Sequence, residues 1–190
     1  MARQIWLLAG GNGAGKSTFY HTRLEPKGMG FVNADLIAKE LDPLAPEAMS
    51  YKAAEIAMSR FHQYIQHGYS FCYETVFSHP SKLEMIRAAL DEGYSIVLVY
   101  ISLRDPKLHL ARVDQRTKSG GHNVDQTKIL DRLPRSQRYV GQAASLATEV
   151  LVFDNSELEN PFQLLARKKQ GQLECYIDPM PQWLVGFFGL

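Results

Sequence analysis

The chain has 190 residues, enough for one domain with a core of its own or for one domain with a small appendage. A hydrophobic fraction of 45% is ordinary for a globular protein, and a formal net charge of +1 at pH 7 argues against a protein that binds nucleic acid through a general positive field. The 2 cysteines exclude a disulfide framework, and no apolar stretch reaches the roughly 18 residues that a membrane span requires.

Strands and helices are predicted to alternate along the chain. Apolar runs mark the strands, and helical spacing together with Gly, Pro and acidic residues at the ends marks the helices. Pro134 should kink the last helix or start it afresh. In chain order the predicted elements are strand 4–9, helix 16–24, strand 30–34, helix 35–41, helix 46–67, strand 70–74, helix 81–92, strand 96–101, helix 107–118, helix 124–147 and strand 150–154.

This alternation predicts an α/β fold of three layers, in which helices cover both faces of a mainly parallel sheet. We expect a core over residues 1–157, with a helical lid at about 112–138. A C-terminal appendage over residues 158–190 should pack on this core, and residues 175–177 are a candidate edge strand. Because ligands of such folds bind at the carboxyl ends of the strands, the residues that follow each strand are the candidates for a site.

The two ends of the chain bear on where the protein works. A predicted strand starts almost at Met1, so we expect no signal peptide. The apolar tail over residues 183–190 is too short to cross a bilayer; it either packs against the domain or forms a protein interface. These features predict a cytoplasmic protein without a membrane partner.

Residues 10–17 read GGNGAGKS and fit the phosphate-binding pattern G-x-x-x-x-G-K-[S/T]. Backbone N–H groups of such a loop surround the phosphates of a nucleotide, with a helix N-terminus behind them. Lys16 can reach the β- and γ-phosphates, and the Ser17 hydroxyl can ligate Mg²⁺. We therefore predict binding of ATP, with GTP as an alternative, by Gly11, Asn12, Gly13, Ala14, Gly15, Lys16, Ser17 and Thr18.

Two acidic residues follow predicted strands and are candidates for the chemistry. Asp35 can accept a proton from an attacking hydroxyl, or it can cap the helix that it begins. Glu74 can orient the acceptor, support Mg²⁺ or form a structural ion pair, and Thr75 lies beside it. No strand ends in the Asp of a Walker B motif, so the second support for Mg²⁺ is Asp35, Glu74 or water.

Arginines are grouped along the predicted lid. Arg112 and Arg116 lie four residues apart and share a helix face, and Arg132, Arg135 and Arg138 do likewise if their helix continues through Pro134. Two helices that carry arginines on either side of a glycine pair, Gly120-Gly121, are typical of a lid that stabilises a transferred phosphoryl group. The alternative is a solvated basic face.

With these residues in view, the chain resembles the zeta toxin family of P-loop kinases, in a compact form without a fused antitoxin. The resemblance covers about residues 5–156 and rests on several motifs in a fixed order. They are Gly-Gly-Asn-Gly-Ala-Gly-Lys-Ser-Thr (residues 10–18), Asn-Ala-Asp (33–35), Glu-Thr-Val-Phe-Ser (74–78), Gly-Gly-His (120–122) and Asp-Asn-Ser (154–156).

The resemblance implies a kinase that phosphorylates a hydroxyl of a nucleotide sugar such as UDP-N-acetylglucosamine and acts as the toxin of a toxin–antitoxin pair, with a separate antitoxin protein. It implies that Lys16 holds the phosphates, that Ser17 ligates Mg²⁺ and that Asp35 is the general base. Glu74 and Thr75 would contact the substrate. Lid arginines would stabilise the transferred group, with Arg116 and Arg135 catalytic and Arg112 and Arg132 binding substrate.

The acceptor stays open at this stage. Members of the family often carry Thr and Arg after the substrate-binding Glu, where this chain has Val76 and Ser78. A P-loop kinase of another nucleotide, a dinucleotide or a nucleic-acid end would keep every role above except the acceptor pocket, although the low net charge disfavours nucleic acid. A nucleotide-dependent ATPase or switch is the other alternative, and the missing Walker B pair argues against it.

Overall fold

A seven-stranded sheet organises the chain in a computed structural model that describes residues 3–118 and 125–190. The first five strands pair in parallel, and the last two pair antiparallel at one edge. The spatial order is β2-β3-β1-β4-β5-β6-β7. The strands are β1 Gln4–Ala9, β2 Gly30–Asn33, β3 Phe71–Thr75, β4 Ser95–Ser102, β5 Glu149–Asp154, β6 Gln163–Lys169 and β7 Gln172–Cys175.

Seven α-helices connect or flank these strands in the described ranges. The first continues as a π-helical turn over Tyr20–Leu24, and a 3-10 turn over Pro46–Met49 precedes the third. None of the described helices combines the length and the hydropathy that crossing a membrane requires. The helices are α1 Lys16–Phe19, α2 Ala34–Leu41, α3 Ser50–Gln66, α4 Ser81–Asp91, α5 Pro106–Lys118, α6 Gln126–Leu146 and α7 Gln182–Phe188.

Alternate residues of β1 point into two separate hydrophobic clusters. Ile5 and Leu7 belong to a large cluster that includes buried residues of α3, α4, α6 and α7. Leu8 belongs to a smaller cluster, which includes Phe19 of α1 and Leu24 of the π-helical turn. Because a strand presents successive side chains to opposite faces, helices must cover both faces of the sheet. The predicted three-layer α/β fold is confirmed.

Parallel register brings the ends of three strands together. Glu74 of β3 lies opposite Leu8 of β1 on one side and opposite Asn33 of β2 on the other. Since parallel strands end at the same edge of a sheet, the loop after β1 and the first residues after β2 and β3 meet there. The fold therefore creates a site from segments that are far apart in the sequence.

The C-terminal stretch differs from its prediction. The predicted edge strand over residues 175–177 is wrong in its bounds, because the strand is β7 Gln172–Cys175 and it pairs with β6 Gln163–Lys169, which was not predicted. The second half of β6 is Arg167-Lys168-Lys169, and three consecutive charged residues give none of the apolar alternation that predicts a strand. In the tail, Leu184 and Phe187 pack into the large cluster.

Two helices also differ from the predicted pattern. The helix predicted from residue 16 to residue 24 is an α-helix only as far as Phe19 and then widens into the π-helical turn. Pro134 neither ends nor restarts α6, which runs without interruption from Gln126 to Leu146. The buried Val140, Ala143 and Ala144 show that packing against the sheet holds this helix together after the proline.

Tyr94 should stabilise the end of α3. Its hydroxyl lies 3.0 Å from the carbonyl oxygen of Tyr69, and it is also within reach of the carbonyls of Tyr64 and Ile65. Since Tyr94 is only 3% exposed, Tyr94→Phe leaves these acceptors without that donor and should lower the free energy of unfolding by about 1–2 kcal/mol. Urea unfolding measures this loss. Tyr51→Phe, at a site that is 91% exposed, is the control, and an equal effect of both changes would contradict the assignment.

Candidate active site

The glycine-rich loop between β1 and α1 has a backbone conformation that residues with a Cβ atom could not adopt at two positions. Gly15 has a φ of 98°, and a Cβ atom there would lie 2.4 Å from Nδ2 of Asn155. Gly10 has a φ of 149°, and its Cβ atom would lie 2.4 Å from the carbonyl oxygen of Ile101. Glycine is therefore required at both positions, where the loop packs directly against Ile101 of β4 and against Asn155, which follows β5.

Glu74 joins the glycine-rich loop to the end of β2. Its Oε2 accepts hydrogen bonds from Ser17 Oγ at 2.9 Å and from Asn33 Nδ2 at 2.9 Å, while its Oε1 lies 3.7 Å from Lys16 Nζ. Lys16 Nζ also donates to the carbonyl of Gly11 at 3.0 Å. The side chains of Lys16 and Glu74 are 7% and 9% exposed, so these charges face each other in a largely dry setting.

Asn33, and not Asp35, caps α2. Its Oδ1 accepts hydrogen bonds from the backbone N–H groups of Asp35 at 2.8 Å and Leu36 at 3.2 Å. Of the two predicted alternatives for Asp35, the helix cap is therefore wrong. The Asp35 side chain is exposed in the first turn of α2, where a carboxylate is stabilised by the helix dipole.

Two cavities meet at Asp35. The first has a volume of about 200 Å³ and is lined by the glycine-rich loop from Asn12 to Thr18 together with Asp35, Glu74, Arg112 and Arg116. The second has a volume of about 380 Å³ and lies against α2 and the turn before α3. Ser17, Asp35 and Arg116 line both cavities, so a carboxylate and a guanidinium stand where the two spaces join.

The two arginines of α5 occupy different positions at the first cavity. Arg112 is half-buried, and its Nη2 donates to the carbonyl of Ser156 at 3.3 Å, just after β5. Arg116 is exposed one turn further on, at the junction with the second cavity. The face that they share therefore points at the glycine-rich loop, in agreement with the spacing of four residues.

The structure places several other predicted residues away from these cavities. Thr75 Oγ1 accepts from the N–H of Phe77 at 3.0 Å, within the turn after β3. Arg135 Nε donates to the carbonyl of Asp131 at 3.1 Å on the exposed side of α6, and Arg132 on the same helix lines neither cavity. The motif Gly120-Gly121-His122 lies outside the described residues.

Two residues that hold the glycine-rich loop were not predicted. Asn155 donates from Nδ2 to the carbonyl of Ala14 at 2.9 Å, and its Oδ1 accepts from the N–H of Phe162 at 3.2 Å. His109 of α5 is 3% exposed and donates from Nδ1 to the carbonyl of Asn12 at 2.7 Å. The motif Asp-Asn-Ser over residues 154–156 was a signal for Asn155. Nothing in the sequence around His109 marks it.

Burial controls the charge of His109. Burial lowers the pKa of its imidazole below the ordinary value of 6.5, and the nearby cations Lys16 and Arg112 lower that pKa further, although the hydrogen bond to Asn12 opposes them. The neutral ring with a proton on Nδ1 is the form that can donate to the Asn12 carbonyl without an added charge. His109 therefore supports the loop as a neutral donor.

Fold and site together define a P-loop nucleotide-binding protein of the α/β class, with the loop on a central strand and acidic and basic side chains around it. Residues 5–139 match the AAA domain family AAA_33, and the protein belongs to this family. An uncharacterized protein of Haemophilus influenzae is 28% identical over 129 residues, which cover 64% of this chain and 91% of that relative.

Solved structures share the fold at low identity. The chain superposes on one from the AvrRxo1-ORF1:AvrRxo1-ORF2 complex with ATP at a TM-score of 0.71 and 16% identity, over 92% of its own length but 61% of that chain. For a chain of the PezAT toxin–antitoxin system of Streptococcus pneumoniae the TM-score is 0.66 and the identity is 14%, over 90% of this chain and 74% of that one. For shikimate kinase of Bacteroides thetaiotaomicron the TM-score is 0.51 and the identity is 15%, over 83% of this chain and 89% of that one. These likenesses show a P-loop kinase-like fold.

Asn155→Asp should loosen the glycine-rich loop. The change puts a carboxylate oxygen in place of the Nδ2 donor, opposite the carbonyl of Ala14, and it should lower the free energy of unfolding by about 1–3 kcal/mol. Urea unfolding at pH 7 measures the loss. The exposed Asn160→Asp makes the same chemical change without such a contact and should shift stability by less than about 0.5 kcal/mol. Equal stabilities of the two variants would contradict the role of Asn155 in holding the glycine-rich loop.

His109 should make the fold sensitive to acid. Its pKa is lower in the folded protein than in the unfolded chain, so the unfolded chain binds the proton first as the pH falls. The stabilisation is complete above the ordinary pKa of 6.5 and is lost as the pH falls from there through the lowered value. Unfolding measured in steps from pH 8 to pH 5 should show a steeper loss in the wild type than in His109→Gln. Parallel profiles would argue against this role.

Proposed function

We propose that the protein is a kinase that transfers the γ-phosphate of ATP to a hydroxyl group of a small molecule. The observation that carries this proposal is the junction of the two cavities at Ser17, Asp35 and Arg116. One cavity is lined by the phosphate-binding loop, and the other, lined by both polar and apolar side chains, has room for an acceptor. The carboxylate at the junction supports the proposal, because a carboxylate close to a γ-phosphate can accept the proton of an attacking hydroxyl.

The loop cavity has the chemistry of a triphosphate site. It is lined by residues of the glycine-rich loop, and successive backbone N–H groups of such a loop bind phosphate oxygens. Lys16 supplies a nearly buried positive charge, which in this structure is balanced by Glu74. When a triphosphate enters, Lys16 can exchange the Gly11 carbonyl and Glu74 for phosphate oxygens. The fold likeness to a chain crystallised in a complex with ATP supports ATP as the donor.

Mg²⁺ fits the oxygen atoms beside the loop. Ser17 Oγ and Glu74 Oε2 lie 2.9 Å apart, and both are hard oxygen donors of the kind that Mg²⁺ takes. Mg²⁺ commonly uses one or two protein oxygens together with phosphate oxygens and keeps several of its waters. When bound, the ion would neutralise phosphate charge. Ser17 and Glu74 would hold it, which gives Glu74 a role on the donor side.

Asp35 is the proposed general base. The acceptor oxygen forms its bond to the γ-phosphorus as the bond from that phosphorus to the bridging oxygen breaks, and the hydroxyl proton passes to the Asp35 carboxylate. The side chain of Asp35 is exposed, and nothing among the described residues pairs with its carboxylate, so an acceptor hydroxyl can reach it. Asn33 fixes the backbone N–H of Asp35 and thereby the direction from which its side chain reaches the junction.

Arg116 is the arginine that we assign to the transferred phosphoryl group. It lines both cavities, and a guanidinium there can stabilise the charge that spreads over the equatorial oxygens. Arg112 belongs to the donor side, where its bond to the Ser156 carbonyl orients it across the loop cavity. For Arg132 and Arg135 we propose contacts made only when α6 shifts toward the loop.

The second cavity suggests a polar acceptor, for which a nucleotide sugar is our proposal. Lys39 and Arg116 offer two cations for a diphosphate, while Asp35 and Glu47 offer carboxylates for sugar hydroxyls. Phosphorylation of a cell-wall precursor would make the protein a toxin with a separate antitoxin, as the likeness to a chain of the PezAT system also suggests. Expression in bacteria should then slow growth, and expression of Lys16→Ala should not.

The base assignment can be tested by phosphoryl transfer. The protein is incubated with ATP, Mg²⁺ and a panel of nucleotide sugars, and mass spectrometry detects the gain of one phosphate on an acceptor. Asp35→Asn should lower kcat by about 10²–10⁴-fold, because the amide cannot accept the proton. Asp91→Asn, an exposed change at the end of α4, should leave kcat unchanged.

Two outcomes would overturn the proposal. Turnover of Asp35→Asn close to that of the wild type would remove the base from the mechanism. ADP production without any phosphorylated acceptor would mean that the protein hydrolyses ATP and does not transfer its phosphate. Lys16→Ala should abolish both products, which shows that they arise at the glycine-rich loop.

A further inference from the structure

A third cavity lies behind the glycine-rich loop. Its volume is about 310 Å³, at the lower end of the range of small-molecule sites. It contacts the loop at Gly11 but shares no lining residue with the cavity that contains Lys16. The kinase proposal makes no use of this space.

The walls of this rear cavity are largely apolar and come from separate elements. Tyr100 of β4, Leu133 of α6, Leu165 of β6 and Trp183 of α7 all line it. The rings of Tyr100 and Trp183 have centroids 6.3 Å apart and planes inclined at 63°, so they form two sides of a corner. Aromatic faces at such an angle suit a flat ring that stacks on one and meets the other edge-on.

Two polar side chains that line this rear cavity make no hydrogen bond to the described residues. Tyr100 is only 7% exposed, and its hydroxyl makes no hydrogen bond to any described residue. Burial raises the pKa of Tyr100 to about 12, so this hydroxyl keeps its proton and is a donor. Gln137 of α6 also lines the cavity, and its amide has no partner among the described side chains and backbone. Because both residues line the cavity, the hydroxyl and the amide are available to a polar ligand that enters it.

The charged groups of the rear cavity already satisfy each other. Asp154 is 4% exposed and accepts from Arg104 Nε at 2.5 Å and from the N–H of Ser156 at 2.9 Å. Arg104 also pairs with Glu157 at 2.9 Å. No charge is left to attract an ion, and burying an unpaired ionic group here would be costly.

We propose that the rear cavity is a binding site for a small, uncharged, flat heteroaromatic molecule. A carbonyl or ring nitrogen of this ligand accepts a hydrogen bond from the Tyr100 hydroxyl, and its neighbouring polar edge meets the Gln137 amide. Its ring lies between Trp183 and the leucines of the opposite wall. Gly11 and His109 line the same space, so the ligand touches the residues that support the glycine-rich loop.

The test uses isoquinolin-1(2H)-one, an uncharged bicyclic lactam, as the probe. The full chain carries 5-fluorotryptophan, and Trp6→Phe leaves Trp183 as the remaining reporter of the 2 tryptophans. The ¹⁹F resonance of Trp183 should shift saturably with the probe, both with and without ATP and Mg²⁺. Tyr100→Phe and Gln137→Met should each weaken binding by about 3–10-fold, whereas Tyr139→Phe, on α6 but outside the cavity, should not change it.

Several results of this titration would overturn the proposal. Absence of a saturable shift would mean that the rear cavity holds only water. Loss of the shift in the presence of ATP would place the probe in the nucleotide cavity. If Tyr100→Phe does not fold, unchanged affinity of Gln137→Met overturns the site. Because binding is read at Trp183 without turnover, an inactive enzyme that still binds the probe would contradict the kinase proposal alone.

Discussion

The contacts of Glu74 are the constraint on which the rest of the site depends. One carboxylate at the end of β3 accepts from Ser17 and Asn33 and faces Lys16, and so it joins the ends of three neighbouring strands. The charges of Lys16 and Glu74 are both largely buried, so each needs the other when no phosphate is present. If the phosphates of a bound triphosphate replaced Glu74 as the partner of Lys16, this carboxylate would become available to the metal ion that we propose beside Ser17.

Support for the glycine-rich loop comes from both sides. Asn155 holds the Ala14 carbonyl from the end of β5, and His109 holds the Asn12 carbonyl from α5. The Gly11 carbonyl accepts hydrogen bonds from within the loop, from the Ala14 N–H and Lys16 Nζ, whereas the Asn12 and Ala14 carbonyls accept from these two neighbouring side chains. The same two contacts connect the loop to α5 and to the C-terminal part of the sheet, next to which the rear cavity lies.

Local chemistry explains which parts of the site could be predicted. The pattern Gly15-Lys16-Ser17 carries its own geometry, and Asp35 and Glu74 were found because parallel strands end at one edge. The N-cap of α2 was harder to predict, because Asn33 and Asp35 are both good capping residues. Only the backbone conformation decides which of them caps the helix. Strand β6 was missed because its charged half lacks the alternation of a half-buried strand.

The sequence by itself determined the class of fold, the phosphate-binding loop and the carboxylates at the ends of β2 and β3, because each of these depends on residues adjacent in the chain. Only the tertiary structure decided that Asn155 and His109 clamp the loop, that Arg116 stands at the junction while Arg132 and Arg135 do not, and that a rear cavity exists. These features depend on contacts between residues tens of positions apart, such as the 141 that separate Asn155 from Ala14. No periodicity or motif encodes such contacts, since packing and burial alone select them.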